Sequence, residues 1–229
     1  MEVTHPSQTL GEEIANSTLH GIGVLLGVAG LVLLAFQAPS SPSALIFAGA
    51  MILMFLASTL YHALIPPRVK ALFRIFDHQA IYLFIAGTYT PYCLLGFKGT
   101  LGWVFFGFEW ALALGGIVLS ALRCRFLKKI EMAIFILMGW AILAGSIPLA
   151  RSLSLKSLVL LFAGGAAYTA GTFWYRAGKR VVRKGAVSPE GTSPLSSPGL
   201  PGAHVVWHLF VLAGAVCHWF SIWFLCRTA

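Results

Sequence analysis

Runs of about twenty apolar residues recur along the whole 229-residue chain, parted by short polar breaks. An α-helix needs about twenty residues to cross the roughly 30 Å hydrocarbon core of a bilayer. Seven such spans are predicted, at 16–36, 44–64, 78–97, 101–122, 130–149, 155–176 and 204–226. Backbone polar groups find no water in lipid, so each span is expected to be helical. The fold class is all-α: one seven-helix membrane domain over 1–229, with no soluble domain left over. The only long connection, 177–203, contains SPEGTSPLSSPGLPG and has no apolar periodicity, so it reads as a flexible loop. No repeat of inverted halves, as in many transporters, is visible.

Composition agrees, with 58% hydrophobic and 10% charged residues. The net charge of +9 could suggest nucleic acid, but the basic residues gather at the ends of the spans. Twelve of the sixteen lie in the breaks on one face: Arg68, Lys70 and Arg74, then Arg123, Arg125, Lys128 and Lys129, then Arg176, Lys179, Arg180, Arg183 and Lys184. The positive-inside bias makes that face cytoplasmic, which puts the N-terminus inside and the C-terminus outside, and nucleic acid is not expected as a partner. The opening MEVTHPSQTLGEE lacks the basic segment of a signal peptide, so the first span reads as a retained helix. Cys93, Cys124, Cys217 and Cys226 have no CxxC spacing and read as packing residues, with a Cys93–Cys226 bridge at the outer surface as the alternative.

Ionisable groups inside apolar helices are costly unless they pair, face a cavity or bind something. The candidates are His20, His62, Asp77, His78, His204, His208 and His218. His204 and His208 open the seventh span at i and i+4, a spacing that stacks two imidazoles on one helix face and lets them share a metal. On the expected topology His62 ends the second span, Asp77 opens the third and His204 opens the seventh, all at one depth. Ser58 stands one turn from His62 on the same face. Three imidazoles with an open position are the pattern of catalytic zinc, although they also suit other divalent ions. Asp77 could then serve as general base or as an orienting hydrogen-bond partner, and Ser58 could hold a water or a developing oxyanion. Val205 stands where the glutamate of H-E-x-x-H would be, which disfavours a soluble-type metalloprotease.

His20 could orient the site or merely hydrogen-bond at a helix end. His78 projects about 100° from Asp77 and is expected to contact another helix. His218 lies roughly 20 Å from His204 along the axis, too far to share the metal, and is expected in packing or an interhelical hydrogen bond. Gly87 and Pro91 are expected to allow close packing and a kink.

EEIANSTLHGIG at 12–23, STLYH at 58–62, DHQAIYLFIAGTYTP at 77–91 and HVVWHLFVLAGAVCHW at 204–219 together resemble the blocks of the hemolysin III family, relatives of the adiponectin and progestin receptors. The resemblance implies seven helices with the N-terminus inside. It also implies a zinc site near the cytoplasmic side, with His62, His204 and His208 as ligands and with Asp77 and Ser58 meeting the bound water. Three functions follow as expectations. The first is a zinc-dependent hydrolase of a lipid amide or ester, ceramide-like in chemistry, whose partners are membrane lipids and a lipid substrate within the bundle. The second is a membrane-perturbing or pore-forming protein, against which no ring of like polar side chains is visible. The third is a lipid sensor or signalling receptor with structural zinc.

Overall fold

A computed structural model describes residues 8–38, 41–97, 99–122, 124–185 and 202–228, with side chains at 125, 127–129 and 177–185 outside the description. The elements are α1 (Leu10–Gln37), α2 (Pro42–Ala63), α3 (Pro67–Pro91), α4 (Thr100–Ala121), α5 (Arg125–Trp140), α6 (Ser146–Ser152), α7 (Leu155–Gly185) and α8 (Ala203–Cys226). No strand occurs among the described residues.

Six stretches are long and apolar enough to cross a membrane: Leu10–Gln37, Pro42–Ala63, Thr100–Ala121, Ile130–Ser152, Leu155–Arg176 and Ala203–Cys226. The predicted third span, 78–97, covers the second part of α3 and the turn that follows it; α3 is 25 residues long but less apolar than the six. It begins at Pro67, not at 78, because proline is tolerated in the first turn of a helix and the charged stretch from Arg68 to Arg74 simply continues it. Asp77 therefore lies ten residues inside α3 instead of opening it, about 15 Å from its start. α7 likewise runs on to Gly185, so the first part of the predicted loop is helical; 186–201 lies outside the described residues.

Small residues let the helices approach, the usual basis of packing where lipid supplies no hydrophobic contrast. A Cβ on Gly87 would stand 2.6 Å from that of Ala50, which sets the α2–α3 contact. Gly23 accommodates the Phe55 ring, Gly30 the Trp219 indole and Gly214 the Tyr168 ring, joining α1 to α2, α1 to α8 and α8 to α7. Phe47, Met51, Met54 and Phe55 of α2 form the middle of the core with Phe84 and Tyr89 of α3. Leu25, Phe36, Val104, Ile147 and Phe173 point outward, as a lipid-facing surface requires.

Two helices are interrupted. After Pro91, α3 widens into a π-helical turn at Tyr92–Gly96, where the proline cannot supply its backbone donor. The predicted fifth span is broken by a 3₁₀ segment, Ala141–Gly145, between α5 and α6. The Tyr89 hydroxyl holds this break: it lies 2.7 Å from the Met138 carbonyl, to which it donates, and accepts from the Ile142 amide at 2.8 Å. All four cysteines are unpaired thiols, so the Cys93–Cys226 bridge is absent.

Candidate metal centre

One end of the bundle is built around α1. Thr9 caps that helix in a reciprocal box with Glu12: the Glu12 amide donates to Thr9 Oγ1 at 3.2 Å, and the Thr9 amide donates to Glu12 Oε2 at 2.8 Å. The other oxygen, Glu12 Oε1, accepts from the Gly202 amide at 2.7 Å, which ties the start of α8 to the start of α1. Gly202 has φ +75°, a left-handed conformation that glycine adopts without steric cost. His204 follows in the first turn of α8, with its ring 5.4 Å from that of Tyr175 on α7.

His62 lies in the last turn of α2, before Leu64 turns the chain into extended backbone. Its Nδ1 is 2.7 Å from Glu13 Oε2, and the second Glu13 oxygen pairs with Lys70 at 2.9 Å. An N–H at Nδ1 donates to that carboxylate, which leaves Nε2 as the lone-pair nitrogen. Nε2 is buried and has no hydrogen-bond partner among the described residues.

His62, His204 and His208 converge, each offering one nitrogen, with all three atoms within 4.8 Å of one another. Their ring centroids are 5.2 Å apart for His62 and His204, 5.0 Å for His62 and His208, and 4.5 Å for His204 and His208. His208 Nδ1 is another buried atom without a partner. Buried polar atoms are nearly always hydrogen-bonded, so lone pairs aimed into one small space fit a cation better than a packed core. The donor set, three imidazoles oriented in part by a carboxylate, suits zinc or a neighbouring divalent metal.

The other predicted residues separate. Ser58 is buried on α2, and its hydroxyl is directed at the Asp77 carboxylate on α3. That pair borders the histidines through Tyr61, which lies within electrostatic reach of both Asp77 and Glu13. His20 is buried and stacks on His208 with ring centroids 3.8 Å apart, and neither of its nitrogens has a partner among the described residues. It fixes the His208 ring by stacking, not by a helix-end hydrogen bond. His78, expected to contact another helix, lies on an exposed face and donates from Nδ1 to the Arg74 carbonyl of its own helix at 2.9 Å. His218 makes the expected interhelical bond, donating from Nε2 to the Leu161 carbonyl at 3.0 Å.

Glu12 and Glu13 were not among the sequence candidates. Acidic residues in a first helical turn are already explained by capping and the helix dipole, which hides their tertiary roles. Glu109 was also missed, although it stands inside the fourth predicted span, where the rule that singled out the histidines applies equally.

The family model described as Haemolysin-III related matches residues 8–219. The chain is 36% identical over 229 residues to Hemolysin-3 of Bacillus cereus, covering 97% of this chain and 95% of that protein. It is 38% identical over 224 residues to the Hemolysin-3 homolog of Bacillus subtilis (strain 168), covering 95% and 96%. It is 25% identical over 223 residues to the human monocyte to macrophage differentiation factor, covering 94% and 84%.

Proposed function

Since the chain belongs to the haemolysin-III-related family and is a multi-pass membrane protein, we propose that it is a zinc-dependent hydrolase of a lipid amide or ester, with its site at the cytoplasmic boundary of a seven-span bundle. In this reading α3 is the seventh span, its apolar half in lipid and its charged half, Arg68 to Asp77, in the cytoplasm. The basic breaks then face inside, and the N-terminus with them.

The convergence of three imidazole nitrogens within 4.8 Å is the observation that carries the proposal. A zinc ion bound by three imidazoles can lower the pKa of a bound water to about 7 and polarise a carbonyl. His62, His204 and His208 would hold it. Glu13 keeps the proton of His62 on Nδ1 so that Nε2 stays a donor, and His20 keeps His208 in register by stacking. The Asp77 carboxylate can take up a proton and return it to a leaving amine or alcohol, and the Ser58 hydroxyl steadies it. An acyl linkage sits at the boundary between hydrocarbon and headgroup, the depth of these helix ends, and the bundle wall next to lipid gives the acyl chain an apolar surface.

Asp77→Asn is the test, because it removes the proton acceptor and leaves all three imidazoles. With purified protein and a panel of N-acyl and O-acyl lipids, the wild type should turn over at least one class, while Asp77→Asn keeps its metal and loses turnover. A metal-loaded wild type that cleaves none of them would refute the hydrolase.

The relatives named Hemolysin-3 support a second reading, membrane perturbation. Leakage of dye from liposomes that persists when His62, His204 and His208 are all replaced by alanine would favour it over the hydrolase.

A further inference from the structure

The metal centre leaves Glu109 unused. Glu109 is fully buried in α4, and neither of its carboxyl oxygens has a hydrogen-bond partner among the described residues. Glu109 is nine positions on from Thr100 at the start of this 22-residue helix, about 14 Å at 1.5 Å per residue, so the carboxyl sits near the middle of an apolar helix long enough to cross a membrane.

Among the described residues its neighbours provide no counter-charge. Facing it are Tyr89 of α3 and Cys93 of the π-helical turn that follows it, both close enough to sense its charge. Next to it, α4 and α5 contribute Ala113 and Met138 to an apolar cluster with Tyr82 and Ala86. Glu131 on α5 lies about two turns along, beside Tyr82. An isolated carboxylate in such surroundings is far costlier than the neutral acid, which needs no counter-ion.

There is also a way in from the end opposite the metal centre. An open pocket of about 560 Å³ is lined by Cys93, Leu94, Phe97, Gly99, Thr100 and Trp103. Cys93 thus borders both the pocket and the carboxyl, and the π-helical turn at Tyr92–Gly96 forms part of the wall between them.

We propose that Glu109 is a proton-binding site inside the membrane, loaded through this pocket. The step is a proton transfer: one O–H bond of a hydronium ion breaks as the proton bonds to one carboxylate oxygen, and a water molecule is left behind. The site is independent of the metal centre and of the hydrolase reading.

Dicyclohexylcarbodiimide, an apolar reagent, adds to protonated carboxylic acids and rearranges to a stable N-acylurea that retains every atom of both partners. The full chain in lipid nanodiscs should gain one reagent mass on the peptide containing Glu109 at neutral pH and lose that labelling at alkaline pH. Glu109→Gln should abolish the adduct, and Glu109→Asp should retain it. Infrared difference spectra between wild type and Glu109→Gln isolate the carbonyl band of the protonated acid. Its shift in D₂O should be slower in Thr100→Trp, where the pocket is narrowed. Failure of the unaltered protein to label at neutral pH would overturn the proposal without recourse to any variant. Sodium or calcium that abolishes the labelling would overturn it in favour of a cation site, and an unchanged exchange rate in Thr100→Trp would overturn the route.

Discussion

Replacing Glu13 by alanine removes a single carboxylate that touches no metal, and the structure lets the consequence be sized. Glu13 Oε2 is 2.7 Å from His62 Nδ1, and the His62 side chain is fully buried, so among the described residues this hydrogen bond sets the ring's tautomer and helps to fix its tilt. Charge-assisted bonds of this kind contribute about 1.5 to 3 kcal/mol. Loss of a carboxylate that orients a ligating imidazole typically costs ten- to hundredfold in metal affinity, about 1.4 to 2.8 kcal/mol. Glu13→Ala should therefore bind zinc ten- to hundredfold more weakly than wild type. Glu13→Gln, which keeps an uncharged acceptor, should fall between them. Lys70 touches the outer oxygen of the same carboxylate at 2.9 Å and is partly exposed, so Lys70→Ala should change affinity by less than about threefold. Competition against a chelating fluorescent indicator on purified protein reads all four. Equal affinities for wild type and Glu13→Ala would refute the assignment of His62 Nε2 as a ligand held in place from behind.

Packing and metal linkage lead to two further expectations. Gly87→Ala places a methyl group 2.6 Å from that of Ala50 and should cost about 1 to 3 kcal/mol, read as a lowered thermal midpoint in detergent, whereas Gly107→Ala meets nothing within 4 Å and should be neutral or slightly stabilising. Zinc at about a hundred times its dissociation constant should stabilise the wild type by about 2.7 kcal/mol, and a His208→Ala protein should show no such rise in midpoint.

The membrane class and the convergence of His62, His204 and His208 could be read from the chain because lipid tolerates few polar groups, so three histidines at one depth stand out. The i, i+4 spacing of His204 and His208 specified a shared face, and Ser58 and His62 did the same on α2. The full extent of α3 was hidden because hydropathy reports only the apolar part of a helix, and the turns from Pro67 to Phe76 carry Arg68, Lys70 and Arg74. The break between α5 and α6 follows Gly139 but has no proline until Pro148, beyond its end. It is held by a hydroxyl from another helix, Tyr89, and so depends on tertiary structure. Glu13 was hidden for a third reason: a local role in the first turn of α1 accounted for it fully, and its reach to His62 spans 49 residues of sequence.

The metal centre is tested most directly by measuring the zinc content of purified protein by mass spectrometry, wild type against His204→Ala. His204 reaches the cluster from the first turn of α8, where alanine leaves the helix intact. One zinc per chain in the wild type, and little or none in His204→Ala at an unchanged elution volume, is the expected result. Equal metal content in the two proteins, or none in the wild type after growth and purification with zinc, would contradict it.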